Sequence, residues 1–551
     1  MSKANRNAAI WYASDAFDPK TNGINGRRMA GESFLSGFFR HADVDEFVSL
    51  ARGVNASKDF LALKNRYAPG TPHRAVLHRD VPRIAPLGTV YFPAPNYAEL
   101  CWRRQAFGMN RYSICGVTHT TATQAVMRGI FDLRAGPQAE WDGVICTSRA
   151  VHAATVRNME IAEAFLRDRF GSVPPRPQLP IIPLVINCDD FAAEAGARAD
   201  LRGRMGWDEN DVAVVTIARL IPYGKFDPGP LFAALEMAQS QLGTEKRLHF
   251  IACGIFGDSH SEKVFTDCAK ILMPSVTYLH LPGDDTVARK QTLSGGDIFV
   301  FPIDNIQETF GLSPIEAMAA GLPVVASDWD GMRDTVSPDV GVRIPTRSVG
   351  ADASRPEAAG YLSGDLSYAQ YGNRLSMLTQ IDLRRMAEAF VALARDAQLR
   401  RRMGAAGKRR AKNEYDWSVI VPRIQDFWAE LNSIRLISGN PEGRGSQHNP
   451  VGPAPMDVFG NYPTVLSNRS DDRLVAVGDA ARLKLIFAAR GYDRLGCPAE
   501  KMSTLEGVLA ALIARGASGG TIDELVTDLG WNRLTVERCA LFLQKYGLAA
   551  E

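Results

Sequence analysis

DIFVFPIDNIQETFGLSPIEAMAAGLPVV, residues 297–325, holds the densest set of constrained signals in the chain. Ile298–Phe301 is a short, wholly apolar run of the kind that forms a buried parallel strand. A polar loop, Ile303–Gly311, carries Glu308. Ser313-Pro314-Ile315-Glu316 then reads as a helix start, with Ser as cap, Pro at the first helical position and Glu three residues after the cap. Gly321 is the expected stop, and Pro323–Ala326 the next buried strand. The unit is strand–loop–helix–strand, with two carboxylates eight residues apart at its working end.

Working outward, 551 residues call for about three domains of ordinary size. The net charge of +2 gives no global field that would favour nucleic acid or acidic polymers. Cys101, Cys115, Cys146, Cys188, Cys253, Cys268, Cys497 and Cys539 are scattered, with no C-x-x-C pair, so reduced thiols in a reducing compartment are expected. The start, MSKANRNAAIWYAS, has no apolar signal core, and no run of about 18 apolar residues occurs. A cytoplasmic protein is expected, on the inner face of the cell membrane if it touches a membrane at all.

Before the central unit, Ala8–Ala13 reads as a strand feeding the loop Ser14–Asn25, which holds Gly23, and a helix over Gly26–Phe39. That loop is either an anion site at a helix start or an ordinary turn. Val44–Ser49 and Ala75–Leu77 are further candidate strands. Over Lys58–Arg111 nine Lys/Arg face three acids, with Tyr91, Phe92, Tyr97, Trp102 and Phe107 among them. The stretch reads as a solvated face or as a peripheral contact with anionic lipid. Ser113–Thr118 is a strand with His119 at its carboxyl end, where open α/β sheets bind ligands, although a lone His is often structural. Gly143–Thr147 is another strand, and the Pro-rich Gly171–Leu179 leads to a boundary near Ile186.

A second α/β series follows. Asp211–Ala218 is a strand ending at Arg219, with Lys225 six residues on; Leu248–Cys253 and Thr277–Leu279 are strands, and Leu231–Leu242 and Thr286–Leu293 helices. Ile381–Leu431 is helical. Strand–helix alternation on both sides of the boundary predicts two doubly wound Rossmann-like domains facing across a cleft. The domain expectation is 1–186, with 416–436 returning to pack on it, then 187–415, a flexible linker 437–470 and a small all-α module over 471–551. In that module TIDELVTDLGWNRLTVERCALFLQKYGL has helix–turn–helix spacing with Gly530 at the turn. Asn468–Glu551 carries eleven Lys/Arg and eleven Asp/Glu, so DNA binding is not expected, and a protein partner or self-association is.

At the carboxyl edge of the second domain, two cations (Arg219, Lys225) and the free amides of Gly311, Leu312 and Ser313 suit a diphosphate. Glu316, one turn into the helix, either completes a capping box or accepts hydrogen bonds from a ribose diol. Glu308 is placed to reach hydroxyls of whatever hangs from the diphosphate. Together these describe a nucleotide-sugar site. No metal motif is seen, and no cofactor is called for.

Glu308-x7-Glu316 with Phe310-Gly311-Leu312 between them, followed by EAMAAGLPVVASD, resembles the donor-site motif of retaining glycosyltransferases of family 4, which have the GT-B fold. The resemblance extends over roughly residues 8–431: Arg219 and Lys225 match the family's Arg/Lys pair, PLVINCDDF its domain crossover, and Asp416-Trp417 its return to the first domain. In place of the usual Gly-Gly in the first loop stands Asn22-Gly23-Ile24-Asn25-Gly26, and the Arg-to-Lys spacing is one residue longer than expected. The tail beyond Leu436 is not covered. The resemblance implies that His119, Arg219, Lys225 and Glu308 are catalytic. It implies a UDP- or GDP-sugar donor bound by Gly23, Arg219, Lys225, Glu308, Phe310, Gly311, Leu312 and Glu316, and a glycan or lipid-linked acceptor. Metal-independent transfer in cell-surface polysaccharide or glycoconjugate synthesis is the expected activity. A phosphorylase or a nucleotide-sugar hydrolase on the same fold, and a nucleotide-sugar-sensing regulator or scaffold acting through the C-terminal module, are the competing readings.

Overall fold

The computed structural model describes residues 6–17, 26–194, 196–439, 450–466, 471–492 and 500–551. Gly23 and the rest of the loop 18–25 lie outside the described residues, as do 440–449 and 467–470 of the expected linker. The chain forms two compact units, Met1–Asn449 and Pro450–Glu551.

The first unit contains two six-stranded sheets. One is built from β1 (Ala9–Tyr12), β2 (Phe47–Ala51), β3 (His73–Leu77), β4 (Thr89–Tyr91), β5 (Ser113–Val117) and β6 (Gly143–Ile145), in the order β3-β2-β1-β4-β5-β6. The other is built from β7 (Asp211–Leu220), β8 (Arg247–Phe256), β9 (Thr277–Pro282), β10 (Ile298–Phe301), β11 (Val324–Ser327) and β12 (Gly341–Ile344), in the order β12-β11-β10-β7-β8-β9. Every pairing in both is parallel. Numbered from its own first strand, each sheet has the order 3-2-1-4-5-6 of dinucleotide-binding folds, which places a ligand crevice where the order reverses. These are the two Rossmann-like halves of a GT-B arrangement. In the second sheet the reversal lies between β7 and β10, whose registers pair Val214 with Ile298 and Val215 with Phe299. β4 and β12, three and four residues long, are strands absent from the sequence reading.

Helices cover both sheets, and burial explains the apolar runs: all four residues of β10 and all four of β11 are buried. The long helix Trp417–Ile437 returns to the first sheet. Trp417 packs edge-on against Phe34, and Trp428 against Phe38 and Tyr91, with ring centroids 5.7–5.9 Å apart. Each such ring buries on the order of 150–250 Å² and fixes the seam by shape. Gly37 is where the helices touch: a Cβ there would lie 2.1 Å from Trp417 Cγ. The chain passes from one sheet to the other twice, and the two passes are hydrogen-bonded to each other. The Ile186 N–H donates to the Tyr415 carbonyl and the Trp417 N–H to the Ile186 carbonyl, both at 3.2 Å, and the Cys188 N–H donates to the Asp416 carboxylate at 3.0 Å.

The expected basic and aromatic surface over 58–111 is only partly a surface. Tyr91 and Tyr97 are core residues. Arg104 is fully buried, paired with the equally buried Asp142 through bonds of 2.5 and 2.8 Å. Lys64 is buried too and donates to the Thr71 carbonyl at 2.6 Å. These side chains serve the fold, leaving a smaller exposed set around Arg66 and Phe107. Among the described residues no helix is long and apolar enough to cross a membrane.

The second unit packs helices Ala480–Arg490, Met502–Arg515, Ile522–Leu529 and Arg533–Lys545 around Leu505, Leu509, Leu512, Leu525, Val536 and Leu543. A two-residue antiparallel ladder, Val475–Ala476 with Ala549–Ala550, ties its ends together. The expected turn is present: Gly530 takes φ +63°, and Asn532 caps the following helix. Both arginines of that helix are already engaged, Arg533 by Asp523 and Arg538 by Glu500. Within the expected linker, Pro455–Phe459 forms a helical turn.

Candidate functional site

Past the carboxyl ends of β7 and β10 lies a cavity of about 400 Å³. Arg219, Lys225, the loop Gln307–Gly311 and Glu316 line it from the second half, and His119, Thr120 and Thr123 from the first. The cavity thus opens at the crevice that the strand order dictates.

Its floor is the start of helix Leu312–Ala320. The helix begins two residues earlier than the sequence reading has it, at Leu312 where that reading starts it at Pro314. Gly311 is the cap, with φ +80°, and no side chain caps the helix, so Ser313 and Glu316 do not form a capping box. Glycine suits this position twice over: the backbone is left-handed, and a Cβ would lie 2.9 Å from Met332 Sδ and 3.1 Å from Phe301 Cε1. With no cap, the first amides of the helix are free for another acceptor.

Part of that role is filled by Glu308. One carboxylate oxygen accepts the Gly311 N–H at 3.0 Å and lies 3.3 and 3.4 Å from the N–H groups of Thr309 and Phe310; the other pairs with Lys225 Nζ. Burial works against the carboxylate, but the Lys225 charge and hydrogen bond, with the amides, hold its pKa below the usual glutamate value. Glu308 is therefore a fixed group, whereas the sequence reading leaves it a free arm of the loop. Arg219 has no carboxylate partner among the described residues. Glu316 is buried and pairs with Arg289 at 3.1 Å; burial raises its pKa, and the Arg289 charge offsets part of the rise.

Several bonds join the two halves around the cavity. Thr309 Oγ1 donates to the His119 carbonyl. Ser148 Oγ donates to Asp330 Oδ1 at 2.7 Å, and the Arg149 side chain pairs with Asp334 at 2.6 Å. Asp330 has φ +39°, the one described non-glycine residue with positive φ. Burial pushes its carboxyl up to about 7 against the Ser148 hydrogen bond, with the Glu308 and Asp334 charges adding to the rise.

His119, Arg219, Lys225, Glu308, Phe310, Gly311, Leu312 and Glu316 all line this one cavity; Gly23 lies outside the described residues. Arg289 and Tyr368 also line it and are not in the sequence reading. Arg289 comes from helix Thr286–Gly295, whose periodicity gives no sign that one arginine turns toward a carboxylate 27 positions later.

The cavity's second-half wall coincides with a family match. Residues 198–355 match the family described as Glycosyl transferases group 1. The chain is 37% identical over 108 residues to the sulfoquinovosyl transferase SQD2 of Arabidopsis thaliana, covering 19% of each protein. It is 33% identical over 142 residues to the phosphatidyl-myo-inositol mannosyltransferase of Mycobacterium leprae, covering 25% of this chain and 28% of that one. A third relative, the GDP-mannose-dependent alpha-(1-6)-phosphatidylinositol monomannoside mannosyltransferase of Mycobacterium tuberculosis, is 25% identical over 271 residues, covering 48% and 59%. The chain thus spans from about a fifth to three fifths of the length of these curated relatives. Among solved structures, Anabaena Alr3699/HepE in complex with UDP aligns over 78% of this chain and 99% of its own, at 15% identity and a TM-score of 0.49. The match over residues 198–355 and the crevice it lines support a GT-B glycosyltransferase.

Proposed function

We propose that the protein is a retaining, metal-independent glycosyltransferase of family 4. It would move a sugar from a UDP- or GDP-sugar to a glycan or lipid-linked acceptor in the synthesis of cell-surface polysaccharide or glycoconjugate. The observation that carries this reading is the Arg219 cation and the uncapped Leu312 and Ser313 amides, meeting in one cavity at the crevice of a doubly wound sheet. Residues 187–415 hold the donor; residues 1–186, with the returning 416–436, present the acceptor. The nucleoside lies toward Glu316, which accepts hydrogen bonds from the ribose diol while its 3.1 Å pair with Arg289 holds it in place. The diphosphate lies on the helix amides between Arg219 and Lys225.

In the reaction the bond from the sugar's anomeric carbon to the phosphate oxygen breaks, and the acceptor hydroxyl oxygen bonds to the same face. The acceptor proton passes to the departing diphosphate. The chain's contribution is fixed positive charge where the leaving group's charge develops, which needs no reorganisation during the step. Lys225 moves part of its charge from Glu308 to the phosphate, and Glu308, still on the Gly311 amide, receives sugar hydroxyls. His119 faces the transferred sugar from the opposite wall. The named relatives with phosphatidylinositol acceptors favour a lipid-linked acceptor over a free sugar.

The test is a thermal-shift screen against UDP, GDP and ADP and their sugars, followed by turnover with the best donor and assignment of the product anomer by NMR. Retained configuration and loss of turnover in Lys225→Ala are expected. An inverted product, or Lys225→Ala turning over at the wild-type rate, would refute the reading.

A further inference from the structure

Between β12 and helix Leu383–Arg395 the chain makes a detour. A two-stranded ladder pairs Thr346 with Ile381 and Arg347 with Gln380, and between its strands stand helices Arg355–Ser363 and Tyr368–Met377. The family match ends at residue 355, where the first of these helices begins, so Tyr368 and the second helix lie beyond it. Both of its helices are tied to the cavity's surroundings. Ser376 Oγ donates to the buried Asp304 carboxyl at 2.5 Å. The Tyr361 hydroxyl accepts the Gln124 N–H at 2.9 Å, on the first half and next to Thr123 at the cavity wall. Tyr361 stacks on Tyr371, centroids 4.6 Å apart at 12°, and lies 6.1 Å from Tyr368.

This bracing holds Tyr368 in the cavity wall. Its hydroxyl oxygen is buried and has no hydrogen-bond partner among the described residues. Arg219 lines the same cavity, its charge acts on the phenol, and it has no carboxylate partner among the described residues. Burial and the neighbouring rings raise the phenol's pKa, so the hydroxyl keeps its proton and acts as a donor. A buried donor left unmade costs free energy, and native proteins rarely leave one without a use. A donor and a cation lining one cavity, neither with an acceptor among the described residues, suit an oxyanion. Glu316 is paired with Arg289 in the interior of the second half, whereas the hairpin carrying Tyr368 reaches the first half. The oxyanion at Tyr368 is therefore at the end of the ligand away from the nucleoside.

We propose that Tyr368 donates a hydrogen bond to the Arg219-bound phosphate of the nucleotide diphosphate, the phosphate that carries the sugar, so that the hairpin supplies a leaving-group contact from outside the family match. This deepens the proposed function and rests on it. In the reaction the contact shortens as the phosphate oxygen takes up charge when its bond to the sugar breaks; Tyr368 keeps its proton throughout.

The experiment is calorimetric titration of the full chain with UDP and UMP, or GDP and GMP, whichever base the wild type binds. Tyr368→Phe keeps the ring in its stack and removes only the donor. A hydrogen bond to a charged group predicts about tenfold weaker binding of the diphosphate, unchanged binding of the monophosphate, and an unchanged melting temperature. Tyr371→Phe, in the same stack, is expected to leave both affinities as they are. Wild-type diphosphate affinity in Tyr368→Phe overturns the proposal, as does an equal loss for both nucleotides, which marks a packing effect. A wild type that binds no nucleotide overturns the underlying reading instead.

Discussion

Glu308→Gln separates two roles that most substitutions in this cleft would confound. The glutamine oxygen still reaches the Gly311 amide, 3.0 Å from the present carboxylate, but the charge that holds Lys225 is gone. Both partners are mostly buried, with side chains 19% and 13% exposed, so solvent screens the pair weakly. Hydrogen bonds to charged groups are worth roughly 1.5–3 kcal/mol. The unliganded protein is therefore expected to lose about 1–3 kcal/mol of stability. The released Lys225 no longer divides its charge between Glu308 and the diphosphate, and one carboxylate fewer repels it. UDP or GDP should bind about tenfold tighter, equivalent to roughly 1.4 kcal/mol. Turnover should move the other way: a sugar hydroxyl loses a charged acceptor, and kcat/KM falls by roughly 10- to 100-fold. Calorimetry with the nucleoside diphosphate and initial rates with its sugar read the two effects separately. If nucleotide affinity and turnover fall together, Glu308 is merely a scaffold for the loop, and the assignment of opposing roles is wrong.

Lys225→Ala should lower kcat by about 10²–10³, the usual loss for one preorganised leaving-group donor, while EDTA leaves the wild-type rate unchanged; a rate restored only by Mg²⁺ would contradict the metal-independent reading. Asp330→Asn tests the raised carboxyl at the seam between the halves. With the folded pKa near 7 and the unfolded one near 3.8, the folded state binds the extra proton, so stability falls as pH rises from about 4 to 7 and then levels. Asparagine keeps the acceptor for Ser148 and cannot ionise, so thermal melts should show the variant more stable at pH 8 by on the order of 1–3 kcal/mol and equal to the wild type near pH 4. Glu308 has the opposite sign: its depressed pKa gives stability that is present above about 4.5 and lost as pH falls below it. Asp142→Ala leaves the Arg104 guanidinium buried without a counter-ion and should cost about 3–5 kcal/mol, read as a large drop in melting temperature with little change in nucleotide affinity of the remaining folded protein.

The second half of the first unit is the more legible part of the sequence, because each of its central strands is a short apolar run buried on both faces. β10 and β11 could be read directly, and Arg219 and Lys225 follow from where β7 stops. The helix start at Gly311 could not. Ser-Pro-x-Glu is a good local capping pattern, but the left-handed Gly311, where Met332 and Phe301 leave no room for a Cβ, begins the helix two residues sooner. Glu316 read as either a cap or a ribose ligand for the same reason, and only Arg289, brought in from another helix, shows what neutralises it. In the basic stretch 58–111 the buried members could not be told from the exposed ones, because charge pairing across 38 residues, as in Arg104 with Asp142, leaves no periodic trace. Tyr368 was invisible because its environment comes from Tyr361, Tyr371 and Arg219, all distant in sequence or on another element.

One consequence follows from the pair of passes at Ile186 and Asp416. Residues 187–415 enter and leave at hydrogen-bonded neighbours, so the whole second sheet is attached like a door hung on a single post. Swinging it needs torsion at only two adjacent backbone points and stretches neither connection. Contacts between the halves besides that post include Ser148 with Asp330, Arg149 with Asp334, and Thr309 with the His119 carbonyl. Such an attachment concentrates any relative motion of the two halves at one place while the strands on either side keep their register.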